Sequence, residues 1–281
     1  MRLGDMDVGD RVWIALDGTD TRFTIVQQGK RSGDDESFSG GTVLMLGPSN
    51  DGVAETRFGL DGSGKESKCS YRNTWGAQNY LSDEGIFAGM LDEGVRAQVM
   101  TVRIPCRKGT EGAETELVEA KYWLPSLEES ARTMAEQDLI FGWEYRSPWI
   151  AEGSVFPYWD GKSSDDYDAW IAPRSSGKTG PLQRWLTRTP VKSSNTLAFY
   201  AVDRTGIGYP TNLGDICQMR PCMVLPGESI VSGGTLVTGQ NMSVRVGGVW
   251  KQSEGLYCKT GGVWRRGETL FAKNGGVWRQ A

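Results

Sequence analysis

The amino-acid sequence predicts a loop-rich α+β protein in which short strands outnumber helices. Glycine provides 38 of the 281 residues, hydrophobic residues make up only 38%, and there are 11 tryptophans. This composition is typical of short strands, many turns and aromatic surface. Helical spacing of apolar residues is confined to two stretches, whereas β-rich runs bounded by turn residues recur along the chain.

The first part of the chain predicts a hairpin, a buried strand and short helices. Two β-rich runs flank the turn residues Asp17-Gly18-Thr19-Asp20, a pattern typical of a tight hairpin. Residues 42–46 are an apolar run that ends at Gly-Pro, which predicts a buried strand. Between residues 73 and 99 apolar positions recur at helical spacing, and Ser82 is placed to cap the second of two short helices. A further strand is predicted at residues 99–104.

One more helix is predicted after a strand at residues 121–124. Ser126 and Glu129 have the S-x-x-E spacing of a capping box, so a helix of about ten residues should follow. The glutamates of this stretch are expected on its solvent-facing surface, where they need no catalytic role: Glu128, Glu129 and Glu136.

A long irregular region precedes the end of the first domain. Residues 141–209 contain five tryptophans and little periodicity apart from an alternating stretch at 197–202, and long irregular segments of compact domains are usually functional. A strand at 219–226 closes the domain, and Ser232-Gly233-Gly234 marks a boundary. The predicted domains are therefore residues 1–234 and 235–281.

Composition also excludes several classes of function. The net charge of −4 gives no electrostatic reason to bind nucleic acid, and no apolar run predicts a signal peptide or membrane insertion. Histidine is absent, which removes the usual general base and most zinc sites. The five scattered cysteines, Cys69, Cys106, Cys217, Cys222 and Cys258, include no C-x-x-C pair, so buried reduced thiols are expected and no cofactor is predicted.

Three segments in order, KYWLPSLEE, RWLTRTP and MRPCMVLP, carry a family resemblance. They resemble the LLS-LEE, WLR-TP and VRPAL-L segments of an uncharacterised domain of phage and prophage proteins, which looks like a branch of the C-type-lectin-like fold related to formylglycine-generating-enzyme-type domains. The resemblance spans residues 7–232 and implies a small twisted sheet that supports long binding loops, here residues 157–170 and 189–215. Thr187 is an extra residue relative to the family pattern, which predicts a bulge or a register change.

The chain ends in three units that each contain GGVW, with the glycine pairs fourteen residues apart. Two glycines between short β-forming runs favour a two-residue turn, so each unit predicts a tight hairpin. Two roles remain open: oligomer contact or attachment, and sugar binding through stacking on Trp250, Trp264 and Trp278. The units resemble K-x-G-G-V-W units at the ends of phage tail and virion proteins.

The candidate ligand-binding residues are aromatic and polar side chains of the irregular segments: Trp149, Tyr158, Trp159, Asp160, Asp165, Asp166, Tyr167, Trp170, Asn195, Tyr200, Tyr209 and Asn212. Rigid rings beside hydrogen-bonding groups are typical of binding loops, although two or three of these rings are equally compatible with a core position. The aspartates at 160, 165, 166 and 168 could hold Ca²⁺, but a solvated acidic loop is the preferred interpretation, and no metal site is predicted.

These features together predict a non-enzymatic adhesin on the tail or surface of a phage or prophage virion, made in the host cytoplasm. Its expected partners are a host cell-surface glycan or protein, other virion proteins and further copies of itself. Two alternatives are a purely structural virion decoration or assembly protein, and a cell-wall glycan hydrolase that uses two carboxylates.

Overall fold

The computed structural model describes residues 1–47, 71–74, 76–108, 114–130, 152–161, 185–190 and 219–237, and the backbone of further strands within 198–212 and 243–280. The chain divides into two compact units, Met1–Leu236 and Val237–Ala281. The boundary predicted after residue 234 is two residues before the observed one. It would divide a hairpin whose second strand belongs to the sheet of the first unit.

The first unit is a mixed α/β structure made mostly of strands. Its strands are β1 (Arg11–Leu16), β2 (Thr19–Gln28), β3 (Gly41–Leu46), β4 (Val102–Arg107), β5 (Thr115–Ala120), β6 (Tyr122–Trp123), β7 (Trp185–Pro190), β8 (Ala198–Val202), β9 (Gly208–Asn212), β10 (Cys222–Pro226), β11 (Val231–Ser232) and β12 (Thr235–Leu236). Its α-helices are α1 (Ile86–Met90), α2 (Glu93–Arg96) and α3 (Leu127–Ser130). Among the described helices none is long and apolar enough to cross a membrane.

Seven strands form the main sheet in the order β11-β12-β1-β2-β3-β10-β6. The predicted hairpin is confirmed, because β1 and β2 pair antiparallel across Asp17 and Gly18, whose φ angles are 48° and 73°. Positive φ at both central residues is the geometry of a type I′ turn, which matches the twist of the strands. The pairing of β12 with β1 is parallel, and the other pairings in this sheet are antiparallel.

The core packs against both faces of the centre of this sheet. β3 lies between β2 and β10, and all six of its residues are buried, so both faces of this strand are covered. In β1, by contrast, burial alternates with exposure, and Trp13 is 39% exposed. This alternation is typical of a strand with one solvated face.

Two smaller sheets complete the first unit. β4 pairs with β5, and β7, β8 and β9 form a three-stranded antiparallel sheet. The predicted loop at 189–215 is therefore wrong in part, since β8 and β9 pair over five positions there. The predicted irregularity at Thr187 is confirmed: between Leu186 and Pro190 the strand β7 advances four residues while its partner β8 advances two.

The capping residues predicted from the sequence match the observed helix starts only in part. Ser126 and Glu129 form the predicted capping box, with the Glu129 amide donating to Ser126 Oγ and the Ser126 amide donating to Glu129 Oε2, each over 3.0 Å. The predicted solvent-facing position of Glu129 is wrong, because the residue is only 4% exposed. Ser82 does not cap α1, which begins after Gly85 without a side-chain cap.

The second unit consists of three separate two-stranded hairpins. They are β13 (Ser243–Val246) with β14 (Val249–Gln252), β15 (Tyr257–Thr260) with β16 (Val263–Arg266), and β17 (Phe271–Asn274) with β18 (Val277–Gln280). The strand pairing confirms the predicted hairpins, with Val246 opposite Val249 and equivalent pairs in the other two units. The glycine pairs lie outside the described residues.

Candidate functional site

A buried ion pair lies at the centre of the first unit. β7 places Arg188, and the capping box at the start of α3 places Glu129. The guanidinium donates to both carboxylate oxygens, over 2.5 Å from Nη1 and 2.8 Å from Nη2, and both side chains are almost completely buried. This two-point geometry is the strongest that arginine and a carboxylate can form.

Arg188 also joins three other segments of the chain. Its guanidinium donates to the carbonyl oxygens of Pro105, Leu124 and Glu152, which belong to β4, to the residue after β6, and to the start of the segment 152–161. The Phe156 amide in turn donates to the Glu129 carbonyl over 2.9 Å. One buried guanidinium therefore fixes the spacing of four chain segments.

Arg188 keeps its positive charge in this buried position. Burial by itself disfavours the charged form, but the Glu129 carboxylate outweighs it and raises the pKa of Arg188. Close packing here also explains one glycine: Gly153 has a φ of 118°, and a Cβ at this position would lie 2.7 Å from Glu129 Oε1.

Glu152 brings a second carboxyl group to the same region. Its Oε1 accepts a hydrogen bond from the Arg107 amide over 2.8 Å. Burial raises the pKa of Glu152 to about 7, and the charge of Arg188 opposes this rise. Two carboxyl groups beside one guanidinium therefore differ in their environments: Glu129 shares both oxygens with Arg188, whereas Glu152 contacts it through the backbone carbonyl.

An aromatic cluster with a second buried arginine lies nearby. The rings of Trp159 and Trp185 are nearly parallel with centroids 6.5 Å apart, and Tyr158 meets Trp159 edge-on at 4.6 Å. The Arg220 guanidinium carbon lies 5.9 Å and 5.3 Å from the centroids of the two indoles, within cation–π range. Its Nε donates to the Leu46 carbonyl over 3.0 Å, and burial lowers its pKa to about 10.

A family model described as "Domain of unknown function (DUF6273)" matches residues 58–227, more than half of the chain. The chain belongs to this family. The DUF6273 segment includes all four ionisable residues described above, namely Glu129, Glu152, Arg188 and Arg220, whereas β1 to β3 and the hairpin unit lie outside it. No curated protein and no solved structure matches the chain.

The predicted binding residues at 158–160 occupy three different environments. Tyr158 is half-buried and Asp160 is exposed, so both have surface to offer a ligand. Trp159 is only 2% exposed. Its predicted role as a surface ring is therefore wrong, because the indole packs among Tyr158, Trp185 and Arg220 in the core of the DUF6273 segment.

Three other predicted residues lie in strands rather than in a loop. Tyr200 is opposite Pro210, and Tyr209 is opposite Ala201. Since successive residues of a strand belong to opposite faces, Tyr200 and Asn212 share one face of the β8–β9 pair and Tyr209 belongs to the other. The remaining predicted residues lie outside the described part of the chain: Trp149, Asp165, Asp166, Tyr167, Trp170 and Asn195.

Two cysteines of the described part of the chain lie in the core. Cys106 and Cys222 are free and buried; burial raises the pKa of the Cys106 thiol to about 12 and the pKa of Cys222 also well above its usual value, so both are protonated at neutral pH. Within the described ranges no group of three Cys, Asp or Glu side chains could hold a metal ion. Sequence reasoning missed the Arg188–Glu129 pair, although the RWLTRTP motif and the capping box each mark one partner.

Proposed function

We propose that this chain is a non-enzymatic receptor-binding protein of a phage or prophage virion, whose first unit holds a host cell-surface ligand. The observation that supports this best is the position of Arg188 beside the ends of the predicted binding segments, residues 157–170 and 189–215. Its bonds fix residue 129 just before the stretch 131–151, and residue 152 just after it. Arg188 itself directly precedes the predicted binding segment 189–215.

A scaffold that fixes the ends of long connections is suited to recognition. Binding loops held by a rigid frame lose less conformational entropy when they meet a ligand. Tyr158 and Asp160 lie near the start of the predicted binding segment 157–170, where they offer a half-buried ring and an exposed carboxylate. The family resemblance supports the virion setting, and the mixture of sheets with short helices agrees with the C-type-lectin-like fold that we propose for the first unit.

The experiment is binding of the labelled full chain to cells of the bacterial strain that encodes it. We expect saturable binding that Asp160→Lys weakens. Asp20→Lys is the matched control, because Asp20 is also an exposed aspartate and its reversal changes the net charge equally. Equal effects of the two substitutions would count against recognition through the segment after residue 157.

A structural virion role is the second candidate, and the hairpin unit favours it. Each hairpin is a separate two-stranded sheet, and such pairs are marginally stable unless other surfaces cover them. Protein that enters particles but binds no host cells would support this second role. Release of soluble sugar from purified envelope would instead support a hydrolase.

A further inference from the structure

The two units differ in the sign of their charge. The unit Val237–Ala281 contains seven lysines and arginines and two glutamates, whereas the whole chain contains 31 basic and 35 acidic residues. The first unit therefore has 24 basic and 33 acidic residues. The modest net charge of the chain conceals a basic C-terminal unit, and a concentrated basic charge attracts anionic partners.

The basic residues of this unit are periodic. Six of the seven occupy two positions of the fourteen-residue repeat. The first position is occupied by Arg245, Lys259 and Lys273, and the second by Lys251, Arg265 and Arg279. A general need for solubility does not require such regular placement.

Strand register distinguishes the two positions. Each first-position cation is directly opposite the tryptophan of its hairpin: Arg245 with Trp250, Lys259 with Trp264, and Lys273 with Trp278. Residues opposite each other in an antiparallel pair share a face of the sheet. The second-position cations follow the tryptophans in sequence and pair with Val244, Cys258 and Ala272, so they belong to the opposite face.

We propose that the hairpin unit is a binding module for an anionic polysaccharide, in which each hairpin supplies one tryptophan and one cation on the same face. An indole stacks on the apolar face of a sugar ring, and the adjacent cation attracts a carboxylate or phosphate group on the same chain. Three equivalent hairpins in one unit multiply a weak single contact. This module does not depend on the proposed role of the first unit.

Charge density favours a glycan over nucleic acid. Duplex DNA presents one negative charge per about 1.7 Å, and the acidic first unit opposes the approach of so dense an anion. A polysaccharide with one anionic group per one or two sugars has a charge spacing that suits one cation beside each tryptophan. The acidic first unit also repels such a polymer less than it repels DNA.

The test measures binding of the full chain to immobilised polygalacturonate, a carboxylate polymer, and to a glycerol-phosphate polymer, with neutral dextran for comparison. The test variant is Arg245→Gln/Lys259→Gln/Lys273→Gln. The matched control is Lys251→Gln/Arg265→Gln/Arg279→Gln, which removes the same charge from the same hairpins on the other face. Each exposed ion pair changes affinity by about twofold to fivefold, so we expect the test variant to lose about tenfold or more and the control less than about threefold.

Several outcomes separate this proposal from its competitors. Binding to either anionic polymer with the expected difference between variants supports it, and the polymer that binds identifies the anionic group. Equal losses in the two variants, equal binding to dextran, or tighter binding to single-stranded oligothymidine would overturn it. The chain could instead bind neither polymer and self-associate, with only the test variant abolishing the self-association. That result would overturn the proposal and indicate that the face with the first-position cations binds the acidic first unit of a second copy. Unchanged circular dichroism excludes misfolding in each case, and cell binding through the first unit stays intact if only this module fails.

Discussion

Replacement of Arg188 by methionine tests whether its buried ion pair stabilises the first unit. The wild-type guanidinium is fully buried and makes five hydrogen bonds, two to Glu129 and one each to the carbonyls of Pro105, Leu124 and Glu152. Methionine fills part of the volume but donates nothing. Among the described residues, the Glu129 carboxylate then keeps only the hydrogen bond from the Ser126 amide at the start of α3.

The expected loss follows from leaving one charge buried without its partner. Breaking a buried ion pair in this way costs about 3–5 kcal/mol, which is a large share of a total stability of about 5–15 kcal/mol. The measurement is urea unfolding of the full chain followed by tryptophan fluorescence, because Trp159 and Trp185 pack in the same core. The transition of the first unit should move to markedly lower urea.

Two comparisons make this prediction sharp. Arg220→Met removes a second buried arginine, whose Nε donates to the Leu46 carbonyl and which has no carboxylate partner among the described residues. The loss of stability should therefore stay near 1.5–3 kcal/mol, roughly the contribution of one charged hydrogen bond. The double variant Arg188→Met/Glu129→Met removes both charges and should recover part of the loss. A stability of Arg188→Met within about 0.5 kcal/mol of wild type, or a double variant less stable than the single one, would refute the reasoning.

Two further predictions concern the same region. The pKa of Glu152 is about 7 in the folded chain against an ordinary 4.5, so the folded chain binds the carboxyl proton more tightly than the unfolded chain does. The resulting stabilisation is complete below about pH 4.5. As the pH rises to about 7, the free energy of unfolding falls by about 3 kcal/mol. Glu152→Gln should flatten this slope in urea titrations at pH 4.5 and 8, and an unchanged slope would argue against it. Ser126→Ala removes the hydroxyl that caps α3 and should lower the stability by about 1 kcal/mol. Ser130→Ala, which removes a hydroxyl bonded to the Ser126 carbonyl, serves as a comparison. Thermal melting of both variants checks this prediction.

Local chemistry predicted the features that depend on neighbouring residues. Asp17 and Gly18 adopt positive φ and close the first hairpin, as their residue types require. Ser126 and Glu129 satisfy each other's amides within one turn. The extra residue at Thr187 interrupts the register of β7. Each of these is decided within a few positions, so the sequence contains all of the necessary information.

Contacts between distant residues could not be predicted in this way. Glu129 was expected at the surface because helical spacing says nothing about a cation 59 positions away. Trp159 belongs to the core because Trp185 and Arg220 pack against it, and neither is near it in sequence. The parallel pairing of β12 with β1 likewise depends on the completed fold, since no local signal links residues 13 and 235.

The two ends of the first unit lie side by side, which has a practical consequence for protein engineering. The Val231 amide donates to the Met1 carbonyl over 2.8 Å, and the Leu3 amide donates to the Ser229 carbonyl over 2.7 Å, so the chain enters and leaves this unit at adjacent points. A fold with that property can be inserted into a surface loop of an unrelated host protein, or joined end to end and reopened elsewhere, without stretching its neighbours. The first unit is therefore suited to insertion into other proteins as a single module.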